Sequence, residues 1–173
     1  MKRLASLTIL LLLGFVAACD DDSPTSPTET GPTFAMPLLS SNEPSLPVPN
    51  EAPCSGNVTI RFNLTRDSAQ VITAGTADFQ ASISACPAGT AITIAHIHRG
   101  VAGVNGGIVV NTGLAAGEVN LVNGAGSFTK NGVAITPVSL AQEILDNPSG
   151  FYFNIHSQNN PGGIIRAQLL RTQ

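Results

Sequence analysis

The stretch Asn57-Val58-Thr59-Ile60-Arg61-Phe62-Asn63-Leu64 decides the fold class. Val58, Ile60, Phe62 and Leu64 fall on one side of an extended chain, and Thr59, Arg61 and Asn63 on the other. This period of two marks a half-buried antiparallel strand. Downstream, residues 69–74 and 76–85 read as two more strands separated at Gly75. Residues 90–98 are apolar on both faces except for His96 and His98, which predicts a central strand. Residues 108–111 follow a Gly-rich turn, and 117–122 with 126–130 predict a hairpin over Asn123-Gly124, a favoured tight-turn pair. The last two strands, 151–157 and 163–170, flank Gln158-Asn159-Asn160-Pro161-Gly162. One helix interrupts the pattern. Ser139 reads as the cap of 140–145, with Gln142 as its capping-box partner and Pro148-Ser149-Gly150 as the stop. About nine short strands without strand–helix alternation predict an all-β sandwich or barrel.

Composition agrees. The chain is 43% hydrophobic and only 11% charged, with 17 Gly and 12 Pro, a balance that favours short strands and turns. Trp is absent and Tyr152 is the only tyrosine, so no aromatic platform for sugars or bases is present. The formal charge is −3. A partner such as nucleic acid needs a concentrated basic face, which this chain lacks. No GxGxxG or P-loop follows a strand.

The amino terminus carries an address. Met1-Lys2-Arg3 is a short positive start, residues 4–16 are an apolar run, and Ala17-Ala18 precede Cys19. A run this short with these flanks reads as a secretory signal rather than a membrane span. Val16-Ala17-Ala18-Cys19 resembles a lipobox, which implies a signal peptide over 1–18 and acylation of Cys19, a palmitate-type lipid anchor. Residues 19–33, with Asp20-Asp21-Asp22 and a Ser/Thr/Pro-rich run, predict a disordered tether. The folded domain is expected over 34–173. Cys54 and Cys86 then form an even pair in an oxidising compartment, so a disulfide is expected, worth on the order of 3 kcal/mol.

His96, His98 and His156 are the only histidines. His96 and His98 are two apart on a strand and leave one face, and His156 closes another strand. If those strands are neighbours, three imidazoles meet. Two readings stand side by side. Histidines beside Gly-rich loops serve as polar staples for loop carbonyls. Three neutral imidazoles also suit a copper or zinc ion with one position open. No Ser sits in a GxSxG elbow and no carboxylates are paired, so no catalytic residue is marked. Arg166 is a candidate for a structural ion pair or for pairing with an anion.

Three stretches together resemble the CHRD domain, the module named after chordin. They are Ala95-His96-Ile97-His98 with Asn105-Gly106-Gly107-Ile108-Val109-Val110, residues 150–169 from Gly150-Phe151-Tyr152 to Gln168-Leu169, and the opening Leu39-Ser40-Ser41-Asn42-Glu43-Pro44. Arg99, Ile164 and Ala167 depart from the family pattern at positions where Gly, Glu and Gly are usual. The resemblance implies an immunoglobulin-like or superoxide-dismutase-like Greek-key β-sandwich or barrel. It implies no settled activity. The expectation is therefore a lipid-anchored domain on the non-cytoplasmic side of a bacterial membrane. It binds an envelope or extracellular protein partner or serves structure, with a mononuclear copper or zinc site on His96, His98 and His156 as the alternative.

Overall fold

The structure, a computed structural model, describes residues 28–45 and 50–173. The expected signal peptide, Cys19 and most of the expected tether lie outside the described residues. The elements are β1 (Thr28–Leu39), β2 (Ser55–Arg66), β3 (Ile72–Ser84), β4 (Ile92–Arg99), β5 (Ile108–Asn111), β6 (Gly126–Ala134), α1 (Ser139–Asp146), β7 (Phe151–Ser157) and β8 (Ile165–Gln168). They form one antiparallel sheet in the order β5-β4-β7-β8-β1-β2-β3-β6. Its edges, β5 and β6, approach each other, so the sheet is a nearly closed barrel. Around that barrel, β3 reaches β4 only by passing β6 and β5, and β6 reaches β7 by passing β5 and β4. These long returns are Greek-key connections. The all-β Greek-key expectation holds.

The alternating stretch in β2 explains the core. Val58, Ile60, Phe62 and Leu64 are all buried, and Ile60 sits between Phe34 of β1 and Phe79 of β3. Phe34 and Phe62 pack with ring centroids 5.1 Å apart. Phe79 stacks on Phe153 at 5.8 Å although β3 and β7 are remote in sheet order. That contact crosses the barrel interior and shows how the opposite walls close. Cys54 and Cys86 are disulfide-bonded, tying the start of β2 to the end of β3.

Several local expectations are corrected. β1 begins at Thr28, ahead of the Phe34 boundary, so residues 28–33 belong to the sheet and not to a disordered tether. Residues 72–84 are one strand rather than two. Gly75 does not break it. It pairs with Leu64, and its missing side chain makes room for Leu64 and for Ala141 of α1. Residues 117–122 form no strand; only Val122 bridges Ala125 across the Asn123-Gly124 turn. That turn docks instead on Cys86, whose amide donates to the Gly124 carbonyl at 3.1 Å. Ser139 is the first helical residue, not a cap, because Val138 before it already has helical backbone angles, and Gln142 bonds Asp146. The sheet thus has eight strands among the described residues.

Candidate functional site

Strand β7 is buried along its whole length. Phe151, Phe153 and Ile155 point into the barrel. Tyr152, Asn154 and His156 alternate with them onto the outer face, as strand geometry requires. On that face Asn154 lies opposite His96 of β4 and Arg166 of β8, and Tyr152 lies opposite His98 and Gln168. The segments 40–45, 100–107 and 158–163 meet this polar patch, so it is buried although it lies outside the core.

The three histidines meet there. His96, His98 and His156 are 2%, 7% and 4% exposed. Their ring centroids form a near-equilateral triangle with sides of 5.5, 5.2 and 5.6 Å. One nitrogen from each lies within 4.8 Å of the others. His96 Nδ1 and His156 Nε2 are 3.4 Å apart. That equals the edge of a tetrahedron with metal–nitrogen bonds of about 2.0–2.1 Å.

The loops set the ring orientations. His98 Nδ1 donates to the Gly106 carbonyl at 3.0 Å, and His156 Nδ1 donates to the Pro161 carbonyl at 2.9 Å. With Nδ1 protonated, Nε2 of each ring carries a lone pair. His98 Nε2 is buried and has no hydrogen-bond partner among the described residues. The carbonyl bonds account for one nitrogen of His98 and of His156; His156 Nε2 and His96 Nδ1 hydrogen-bond each other, and His98 Nε2 is the nitrogen left over beside them. Burial, with the charges of His156 and His98, pushes the His96 imidazole down to about 4. Burial also lowers His98 and His156, against the opposing effect of their carbonyl partners. Neutral rings at neutral pH are the form that binds metal.

A second tier holds the loops. Gly106 donates its N–H to Tyr152 Oη at 3.2 Å while its carbonyl holds His98. A Cβ at this position would lie 1.5 Å from the Arg99 carbonyl oxygen, so only glycine fits. Glu51, 1% exposed, accepts from Ser157 Oγ at 2.7 Å and from the side-chain amides of Asn159 and Asn160. It thereby fixes the turn that leads to Pro161. Tyr152 is sandwiched: His98 stacks on one face at 4.8 Å and 4°, and the Arg166 guanidinium sits 3.9 Å from the ring centroid. Among the described residues no carboxylate lies within ion-pair distance of Arg166, while its charge acts on the Glu43 carboxyl. Its Nη1 donates to Asn105 Oδ1 and its Nη2 to the Val104 carbonyl.

Sequence reasoning missed Glu43, Glu51, Tyr152 and Asn154. The signal for two of them was available. Tyr152, Asn154 and His156 repeat the spacing of His96 and His98, and a run of polar groups at every second strand position marks one face.

The fold and this patch define a class: a Greek-key β domain with a buried histidine cluster roofed by glycine-rich loops. The family comparison names it. The CHRD domain matches residues 34–169, and the chain belongs to that family. No curated protein and no solved structure matches the chain. Family membership supports a binding or structural domain.

Proposed function

We propose that this protein is a lipid-anchored envelope module whose CHRD domain holds one copper or zinc ion on His96, His98 and His156. The observation that carries the reading is the convergence of three imidazole nitrogens in a buried site, with two rings pinned through Nδ1 to backbone carbonyls. This is the outer-shell pattern of metal-ligating histidines, where a bond to the far nitrogen fixes tautomer and direction. Three nitrogen donors leave a position open for an exogenous ligand. The donor set is all imidazole, which suits copper and zinc over calcium or magnesium. The anchor rests on the Lys2-Arg3 start, the short apolar run and Cys19. It places the domain on the non-cytoplasmic side of a bacterial membrane, where a disulfide persists.

The chain supplies its own probe. Tyr152, its only tyrosine in the absence of tryptophan, stacks on His98. Copper(II) titrated into the purified protein should quench Tyr152 emission with an endpoint at one ion per chain, and zinc should bind with the same stoichiometry by metal analysis. His98→Ala and His156→Ala should each abolish stoichiometric binding. Parental metal content in His98→Ala would refute the site. For the anchor, Cys19→Ser should move the protein from the membrane fraction to the soluble extract; a variant that stays on the membrane would refute lipidation at Cys19.

A further inference from the structure

We propose that Arg166 and Glu43 form a second ligand site, for a small oxyanion, separate from the three-histidine centre. Arg166 is 1% exposed and carries a permanent charge. The acceptors it finds are neutral, Asn105 Oδ1 at 3.1 Å and the Val104 carbonyl at 3.2 Å, with the Tyr152 ring against its plane. A guanidinium offers five N–H donors, so two acceptors leave it under-used. A buried cation without a counter-charge is destabilising. The carboxyl that faces Arg166 is Glu43, so the site has one unmatched positive charge while Glu43 is protonated.

That charge opens onto a cleft of about 350 Å³, where Arg166 is joined by Glu43, Gln168 and Ser41. Glu43 is 6% exposed, and its Oε1 has no hydrogen-bond partner among the described residues. The groups facing Glu43 are the Arg166 guanidinium from β8 and the Asn154 amide from β7. Gly163, at φ +124°, lets them approach: a Cβ there would fall 2.6 Å from Glu43 Oε1 and 2.3 Å from Asn154 Nδ2. Burial pushes the Glu43 carboxyl up to about 7, more than Arg166 and Asn154 pull it down. A protonated Glu43 is a donor. With Arg166 it presents N–H and O–H groups to one small space, under a net positive charge. A carboxylate or a sulfate-like group matches that arrangement, because both offer several acceptor oxygens and a negative charge. An ionised Glu43 would repel the same ligand, so affinity should fall as the pH rises through about 7.

Calorimetric titration with sulfate and, separately, with acetate tests this. Both keep a constant charge at about pH 6 and about pH 8.5, so any pH dependence belongs to the protein. One anion per chain is expected, bound about tenfold more tightly at the lower pH. Sulfate alone or acetate alone binding would identify the headgroup class. Glu43→Gln, which keeps a neutral donor, should bind at the higher pH as the parent does at the lower. Arg166→Gln, checked for folding by circular dichroism, should not bind. The proposal is overturned if neither anion binds saturably, if Glu43→Gln retains the parental pH dependence, or if binding disappears in His98→Ala. The last result would assign the anion to the histidine cluster. Loss of metal binding in that variant with anion binding intact would instead separate the two sites.

Discussion

Replacing Gly106 by alanine tests how the loop holds the site. The new Cβ would lie 1.5 Å from the Arg99 carbonyl oxygen and 2.7 Å from its carbon. These are backbone atoms, so no rotamer change relieves the clash, and the loop must lift off β4. Lifting it withdraws the Gly106 carbonyl from His98 Nδ1 and the Gly106 amide from Tyr152 Oη. Two hydrogen bonds contribute about 1 kcal/mol each, and overpacking is destabilising by about 1–3 kcal/mol. The expected loss is about 3–5 kcal/mol, a large part of the roughly 5–15 kcal/mol that a domain has. Thermal unfolding should shift down by about 10 °C or more. Zinc affinity should fall about 10–100-fold, the usual effect of removing an outer-shell partner of a ligating histidine. Circular dichroism melts and zinc titration on Gly106→Ala measure both. Parental melting together with parental zinc affinity would refute the argument that this loop positions His98.

Other outcomes follow from the same structure. Removing the disulfide with Cys54→Ser and Cys86→Ser frees a loop with a sequence separation of 32, and urea unfolding should show a loss of about 3–4 kcal/mol. The histidine cluster gives a pH dependence of definite sign. His96 is ordinarily protonated near 6.5 and in the fold only near 4, so the unfolded chain takes up the proton first as pH falls. Metal-free stability should be full above about pH 6.5 and decline toward pH 4, which urea midpoints across that range will read. Glu43 works in the opposite direction: its contribution is present below 4.5 and is lost as the pH rises through about 7. Glu43→Gln should therefore remove that upper limb and leave the acid limb intact.

The barrel was legible where strands are amphipathic. Val58, Ile60, Phe62 and Leu64 showed their burial by alternation, and His96 and His98 showed a shared face by the same rule. Gly75 misled because glycine weakens a strand by propensity, whereas here it clears space for α1. Residues 117–122 misled because a good turn pair, Asn123-Gly124, was spent on docking to Cys86 instead of on pairing two strands. The supporting cluster was hidden for a topological reason. Glu51 meets Asn160 across 109 residues and Arg166 meets Asn105 across 61, and only the Greek-key crossovers bring those segments together. Periodicity reports which face a residue occupies; it carries no information about which distant loop covers that face.

In the proposed site one nitrogen from each of three histidines faces a common ion. Long-range proton–nitrogen NMR on uniformly labelled protein, with and without one equivalent of zinc, tests it directly. His98 and His156 should begin as Nδ1-protonated tautomers, and zinc should shift His98 Nε2, His156 Nε2 and His96 Nδ1 together, saturating at one equivalent. Imidazole resonances that stay in place, or a shift confined to one ring, would contradict it.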